Sequence, residues 1–578
     1  MLVRVFLLFF IAVTAVGCAH VKHDGVKKSV VEIKDSTIVQ NEEKKSQEQS
    51  EPLELDAQLL YTLLGGELAG QRGEIGLASA FYGLAAEHSK NSEIALRAAQ
   101  VALYSKDLVA AKTAVDILVQ NNNLSAQTRR LVLTVYLRLG DTKKSLEQIR
   151  MLLNDSDIPI RNALLAVGDM VSRHASEDVA TEVMAELVKE FTSNAAIYLA
   201  RSQMMMNFDE MERAFEDAEK ATQLDKEWQT GYVQLARVLE KQGKRERALN
   251  VLKQAAEQNE ARQLLMGYGQ LLAQDGQYQE AKQQFLKMLS KEPNYPDARF
   301  AIGLVYLKLD DVLHAKESFA RLYEDKAFQA KAAFYLGRIH YQQKEYEDAI
   351  TWFKKVEDGA GYIDAQASMA MIYMQTGDTA SSRSVLQTLR NRFPKESTRF
   401  YLLEAELLTE AEQFAVLYEL MTEAVKEDAD NLMLRYARSI AATEVGELAM
   451  AEQDLLLILS KEPKNVNALN ALGYTLASKT FRFKEARQYL TQAITLKPND
   501  SAIMDSMGWL SYREGRYEEA LVLLEKAYKK MPEGEIAAHL GETLWMLGRQ
   551  KEARTLWEEA LKKDTENRYL IEVLKRLQ

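Results

Sequence analysis

The sequence predicts an all-α fold: a solenoid of about fifteen helical hairpins closed by a C-terminal capping helix. Three observations predict it. A small residue recurs at steps close to ~34, running Ala78, Ala111, Ser145, a degenerate Val179, Ala214, Ala248, Ala281, Ala315, Ala349, Ser382, a degenerate Val416, Ala451, Ala486, Ala520 and Ala553. About a dozen places earlier in many units stands a second small residue: Gly66, Ala99, Ala236, Gly269, Gly303, Gly337, Ala370, Gly508 and Gly541. Glycine and proline number only 27 and 8 in 578 residues, which favours long helices. The physical reason for the pattern is close packing. The helices of one hairpin cross where these residues meet, and a large side chain there would push the axes beyond the usual ~8–10 Å.

Taken in chain order, residues 1–17 are expected to be a signal peptide. Arg4 makes the opening basic, and "VFLLFFIAV" (Val5–Val13) is apolar but short of the about 20 residues a bilayer span needs. Ala15 and Gly17 lead directly into Cys18, the only cysteine in the chain. The layout resembles the lipobox of bacterial lipoproteins, with Ala15 where leucine is usual. That resemblance implies that Cys18 becomes the acylated first residue. Several acyl chains would hold the protein stably at a membrane, each buried methylene contributing ~0.8 kcal/mol. Ala19, in place of the aspartate that marks inner-membrane retention, points to the outer membrane, facing the periplasm. The rest of residues 18–55 is polar, mixed in charge and without sustained apolar period, and reads as a disordered tether.

The array is expected over residues 56–565. Its clearest unit is "SAIMDSMGWLSYREGRYEEALVLLEKAYKKMP" (Ser501–Pro532). Gly508, Ala520, Ala527 and the closing Pro532, with Tyr517 ahead of the second helix, resemble the tetratricopeptide repeat. The resemblance implies two antiparallel helices per unit and a right-handed superhelix. The weakest units lie near Ile160–Asn194 and Ser397–Asn431, and "ASKTFRF" (Ala477–Phe483) carries a one-residue insertion. Residues 566–578 lack a partner helix. Leu570, Val573, Leu574 and Leu577 share one helical face there, as a cap over the last hairpin requires.

Composition narrows the function. With Cys18 acylated, no thiol remains for a disulfide, a zinc–thiolate site or a nucleophile. A net charge of -11 argues against nucleic acid, which needs a basic stripe. The sequence holds no phosphate-binding loop, nucleophile elbow or zinc-binding helix motif. His20 and His23 fall in the tether, and His88, His174, His314, His340 and His539 are scattered over different repeats, as packing or surface residues are. No catalytic residue, metal ligand or cofactor is assigned, and the chain reads as a non-enzyme that binds proteins.

In the tetratricopeptide family the second, fifth, ninth, twelfth and thirteenth places of a unit face the groove. By this sequence's own register those places give Lys331, Phe334, Arg338 and Tyr341, then Asn467, Asn470 and Tyr474, then Asp505, Trp509, Tyr512 and Arg513, and finally Glu542 and Trp545. Aromatics and arginine concentrate binding energy at protein interfaces. Tyr474 and Trp509 are also common packing residues of such helices. The lysine–asparagine pair by which chaperone-binding repeats hold a terminal carboxylate is absent: the two places read Leu96 with Gln100, Val233 with Arg237, Phe334 with Arg338, and Asn470 with Tyr474.

The stretches Asn470–Tyr528 and Glu535–Leu561 carry a narrower resemblance. They look like the large proteobacterial outer-membrane lipoproteins of tetratricopeptide repeats that partner a carboxyl-terminal processing protease. The resemblance implies an adaptor that binds the periplasmic serine protease and brings it substrates such as peptidoglycan hydrolases. Two other readings stay open: a scaffold in envelope assembly, serving polysaccharide export or peptidoglycan synthesis, and an enzyme whose site carries no recognisable motif.

Overall fold

The computed structural model describes residues 56–121, 124–154 and 158–577. Cys18 and the residues expected to form a signal peptide and a tether lie outside the described residues. Among the described residues there are 31 α-helices, one short 3-10 turn at Pro394–Glu396, and no strand. No helix among them is long and apolar enough to cross a membrane. The chain divides into two compact units, whose described parts are residues 56–318 and 319–577. Within each, successive helices pair as antiparallel hairpins and stack on their sequence neighbours.

Local chemistry sets the hairpins. First helices often open on a side chain that accepts from their own first amides, as Asn91, Asn431, Asn465 and Asp500 do. The turn to the second helix passes through one left-handed residue in most hairpins. Glycine takes that place at Gly73, Gly140, Gly243, Gly276, Gly377, Gly446, Gly515 and Gly548. Lys106, Asp209, Asp310, Lys344 and Glu412 hold it at some steric cost.

The small-residue series is the fourth position of each second helix, and its members are buried. Two assignments need correction. The helix Glu177–Glu190 puts Ala180, not Val179, at that place, and Phe414–Glu427 puts Leu417, not Val416. Ala180 and Leu417 are buried, whereas Val179 and Val416 stay partly exposed. Crossings are tight where both places are small. A Cβ added at Gly508 would lie 2.7 Å from Leu524 Cγ, and one at Gly541 only 1.9 Å from Trp557 Nε1.

The weak unit of residues 160–190 departs from the pattern. Its turn, Ala175–Ser176, has no left-handed residue. The helix Ile160–His174 packs chiefly on the first helix of the next unit, Ala195–Asn207, rather than on its own partner. Gly168 permits that contact, since a Cβ there would meet Ala200 Cβ at 2.6 Å. The insertion at Ala477–Phe483 ends the helix Val466–Lys479 on extended Thr480 instead of a left-handed residue. The final helix, Arg568–Arg576, buries Leu570 and Val573 against the last hairpin.

Candidate protein-binding face

The side chains expected to face a partner fall into two groups, both in the unit that holds residues 319–577. On the helix Gln329–Gln342, Lys331 is exposed and stands over the Phe328 ring at 5.2 Å. Arg338 lies over Phe334 and Tyr335 at 5.8 and 5.6 Å, and Tyr341 leans on Tyr346 at 6.1 Å. Spacings of three, four and three residues put these four on one helical face. At the end of this helix His340 Nδ1 lies 2.6 Å from Glu345 and 3.9 Å from Asp348, closing the turn around left-handed Lys344.

The second group converges more tightly. It comes from the first helices Val466–Lys479, Ser501–Arg513 and Gly534–Met546. Tyr474 donates its hydroxyl to Glu535 at 2.7 Å, passing over the intervening repeat. Asp505, 1% exposed, takes His539 Nδ1 at 3.0 Å. Trp509 stacks on His539 at 4.0 Å and on Tyr512 at 4.8 Å between ring centroids. Tyr512 donates to Glu542 at 3.1 Å, and Glu542 also pairs with Arg576 of the last helix. Asn470, one turn before Tyr474 on the same face, has a buried Oδ1 without a hydrogen-bond partner.

Burial and charge tune these groups together. Burial pulls the His539 ring down, but the Asp505 carboxylate outweighs it and the net shift is upward. Burial likewise raises Asp505, against the His539 charge and hydrogen bond that lower it. Burial and the nearby Glu535 carboxylate push the Tyr474 hydroxyl well above the usual phenol range. Asp505, Glu535, His539 and Glu542 are buried and bonded within the cluster, so what it leaves partly exposed is the Tyr474, Trp509 and Tyr512 rings; no nucleophile–base pair is formed among these groups.

Three expected residues stand apart. Asn467 is exposed in the first turn of its helix, Val466–Lys479. Arg513 donates to the Ser478 carbonyl at 2.6 Å and lies over Phe481 and Phe483, so it braces the inserted loop. Trp545 stacks on Trp557 at 6.0 Å with Arg554 over it, packing its own hairpin. Conversely, His539, Glu535, Arg576 and Tyr569 belong to the cluster and were not assigned to it. Glu535 occupies the second place of its unit and was legible by register. His539 is one place past the fifth, and the other two lie in the cap, so the repeat pattern gave no signal for them.

A cavity of about 780 Å³ lies among the helices Thr379–Arg392, Ser397–Glu410 and Phe414–Glu427, lined by Arg383, Arg390, Tyr401, Glu423 and Glu427 among others. Its arginines turn inward to fully buried Glu404, at 2.9 and 2.5 Å. Burial and the Glu427 charge push the Tyr401 hydroxyl up to about 12.

With this geometry in place, the relatives can be read. Models of the tetratricopeptide repeat match residues 233–299, 300–362, 364–396, 466–500 and 511–577. Those stretches are tetratricopeptide repeats, and the helical hairpins continue before and between them. A TPR repeat-containing protein of Pseudomonas aeruginosa is 37% identical over 211 residues, 36% of this chain and 36% of that one. The chain thus spans about a third of that relative's length. Superkiller complex protein 3 of Mus musculus is 24% identical over 319 residues, 52% of this chain and 20% of that one. Among solved structures, pilF of Pseudomonas aeruginosa has 21% identity and a TM-score of 0.30, covering 36% of this chain and 96% of its own. The Cut9–Hcn1 assembly of the APC/C has 15% identity and a TM-score of 0.26, covering 85% and 97%. Tetratricopeptide repeats are protein-interaction scaffolds, and this chain is one in that sense.

Proposed function

We propose that the protein is an outer-membrane-anchored periplasmic adaptor that holds a carboxyl-terminal processing protease together with its protein substrates. Cys18 carries the lipid, residues 18–55 set the distance from the membrane, and the repeats do the holding. The observation that supports this reading most is the stacked aromatic–carboxylate cluster on three successive first helices. Tyr474, Trp509 and Tyr512 offer large stiff surfaces, with Asp505 and Glu542 beside them. A long array has room for protease and substrate at once, and confining both to one chain raises their effective concentration. The adaptor needs no reaction of its own.

The test is a pull-down of the full-length chain from crosslinked envelopes, followed by a proteolysis assay. The reading expects a periplasmic serine protease in the captured set, faster substrate cleavage when the purified adaptor is added, and loss of membrane association in Cys18→Ser. Recovery of a synthase or export complex instead, with no effect on any processing protease, contradicts it.

A further inference from the structure

The first hairpin, Ala57–Gln71 and Ile75–Ser89, leaves uncovered a face that later repeats bury. Gly66 holds the place of Gly508, so Tyr61, Leu64 and Leu68 correspond to Ile503, Ser506 and Leu510, all buried. In the helix Gln329–Gln342 the same places are Ala332, Tyr335 and Ile339, and Tyr335 stacks at 5.0 Å on Phe319 of the preceding second helix. These places are where one repeat receives the repeat before it. In the first hairpin Leu60, Tyr61, Leu64 and Leu68 are instead between 50% and 67% exposed. Tyr61 meets Phe81 edge-on at 5.8 Å, which joins this stripe to Leu77 and Leu84 on the second helix, also about half exposed. Leu77 and Leu84 stand where later units carry Glu519 with Lys526 and Glu552 with Glu559, all exposed. The last hairpin has a helix over it that buries Leu570 and Val573. A continuous apolar patch of this kind marks an interaction site, where single exposed side chains do not.

Charge narrows what covers the patch. The two helices carry Glu67, Glu87 and His88 but no lysine or arginine, the residues by which an interfacial helix holds anionic lipid. The polar, aperiodic residues 18–55 offer no apolar stripe to lay over it. The patch does match itself. In a two-fold contact each residue meets a symmetry mate, so a face poor in charge meets itself without repulsion. With the axis over Leu64, antiparallel copies of Ala57–Gln71 set Leu60 against Leu68 of the second copy, and exposed Asp56 against exposed Arg72. Asp56 keeps its bond to the Leu59 amide at 2.7 Å and its contact with His88 at 2.6 Å, so the added ion pair sets register more than strength. We propose that the chain forms a two-fold dimer through its first hairpin, with Leu64 at the axis and Tyr61, Leu68, Leu77 and Leu84 around it. The proposal goes beyond the adaptor reading and holds whichever protein the array binds.

Cys18 is the only cysteine, so Cys18→Ser gives a full-length chain without thiols into which single cysteines can be placed. Sedimentation velocity of that chain should show a concentration-dependent dimer. Leu64→Glu should weaken dimerisation about tenfold or more with an unchanged melting temperature, since the side chain is half exposed in the monomer. Leu68→Glu should do the same, and Arg72→Glu should do so more mildly. Under mild oxidation Leu64→Cys should form a disulfide dimer by itself. Leu60→Cys and Leu68→Cys chains, mixed, should crosslink to each other faster than either does to itself. A monomer at every concentration reached overturns the proposal, including one that binds phosphatidylethanolamine vesicles and loses them in Leu64→Glu. So does a dimer left intact by both glutamate variants, or a photocrosslinker at position 64 that joins only residues 18–55 of its own chain. Because these measurements use the chain alone, their failure leaves partner capture by the array standing, and failure of capture leaves the dimer standing.

Discussion

The hairpins of residues 432–461 and 501–530 have the same register and fill it with opposite chemistry. In the second, the fourth and seventh places of the unit are Met504 and Met507, both buried, and the matching place on the second helix is the partly buried Leu523. In the first, the same three places are Arg435, Arg438 and Asp454. Asp454 is fully buried and accepts from Arg435 Nη1 at 2.7 Å and from Arg438 Nε and Nη2 at 2.7 and 2.8 Å. Arg201 and Asp217 repeat the ionic solution at the corresponding places of another unit, with two bonds of 2.7 Å. The hairpin crossing therefore tolerates either an apolar trio or a charged trio, provided the charged one is completely paired. A buried carboxylate with three donors is tolerable, and one that loses its partners is not.

The largest expected effect breaks the ionic hairpin. Asp454→Ala strands buried Arg438 and takes the ion pair from partly buried Arg435, and should cost about 3–5 kcal/mol in urea unfolding. The triple change Arg435→Met, Arg438→Met, Asp454→Leu converts this hairpin to the other's chemistry. It should be neutral or stabilising by about 1–4 kcal/mol. If the triple variant loses as much as Asp454→Ala, the two solutions are not interchangeable. Next comes the apolar hairpin. Gly508→Ala forces a methyl against Leu524 and should cost about 1–3 kcal/mol. Ser439→Ala, at the equivalent place in the ionic hairpin, loses only a hydroxyl bonded to the Tyr436 carbonyl and should cost about 1 kcal/mol. Equal losses at the two places would contradict the packing argument.

A third contrast separates the ionic crossing from the cluster around His539. The cations on Asp454 are arginines that stay charged at any working pH. The cation on Asp505 is His539, whose pKa is raised by Asp505 against the pull of burial, with Glu535 and Glu542 adding to the rise. A raised histidine stabilises the fold fully below about pH 6.5, and that contribution is lost as pH climbs through the folded value. Melting temperature should therefore fall as pH rises above about 6.5, and His539→Gln should flatten that slope while Asp454 variants keep it. The smallest effect is at the turns. Lys106→Gly relieves a left-handed lysine and should raise stability by about 1 kcal/mol, readable as a small rise in the urea midpoint.

The repeat architecture was legible because its determinant is a spacing, and spacings survive in sequence. The two assignments that slipped did so because the step into the unit, from Ser145 to Ala180 and from Ser382 to Leu417, is one residue longer than the usual one. With the register of the structure, Gly168 and Ala405 fall at the place that Gly508 holds, ahead of Ala180 and Leu417. The opened hairpin of residues 160–190 was not legible, since it depends on Gly168 choosing Ala200 over its own partner helix. The cluster at Tyr474, Asp505, Trp509, Tyr512 and Glu542 followed from repeat places alone. Arg513 and Trp545 occupy places of the same type but are drawn into local packing by the inserted loop and by Trp557. His539 and Arg576 escaped because long-range approach between repeats leaves no periodic trace.

The claim that proteins are held on the first-helix face is tested most directly by site-specific photocrosslinking in intact envelopes. A crosslinking residue at exposed Asn467 or Lys331 should yield the same discrete protein adduct, and one at Glu525, exposed on a second helix, should yield none. Adducts of equal yield from Glu525, or none from either first-helix position, would contradict the account.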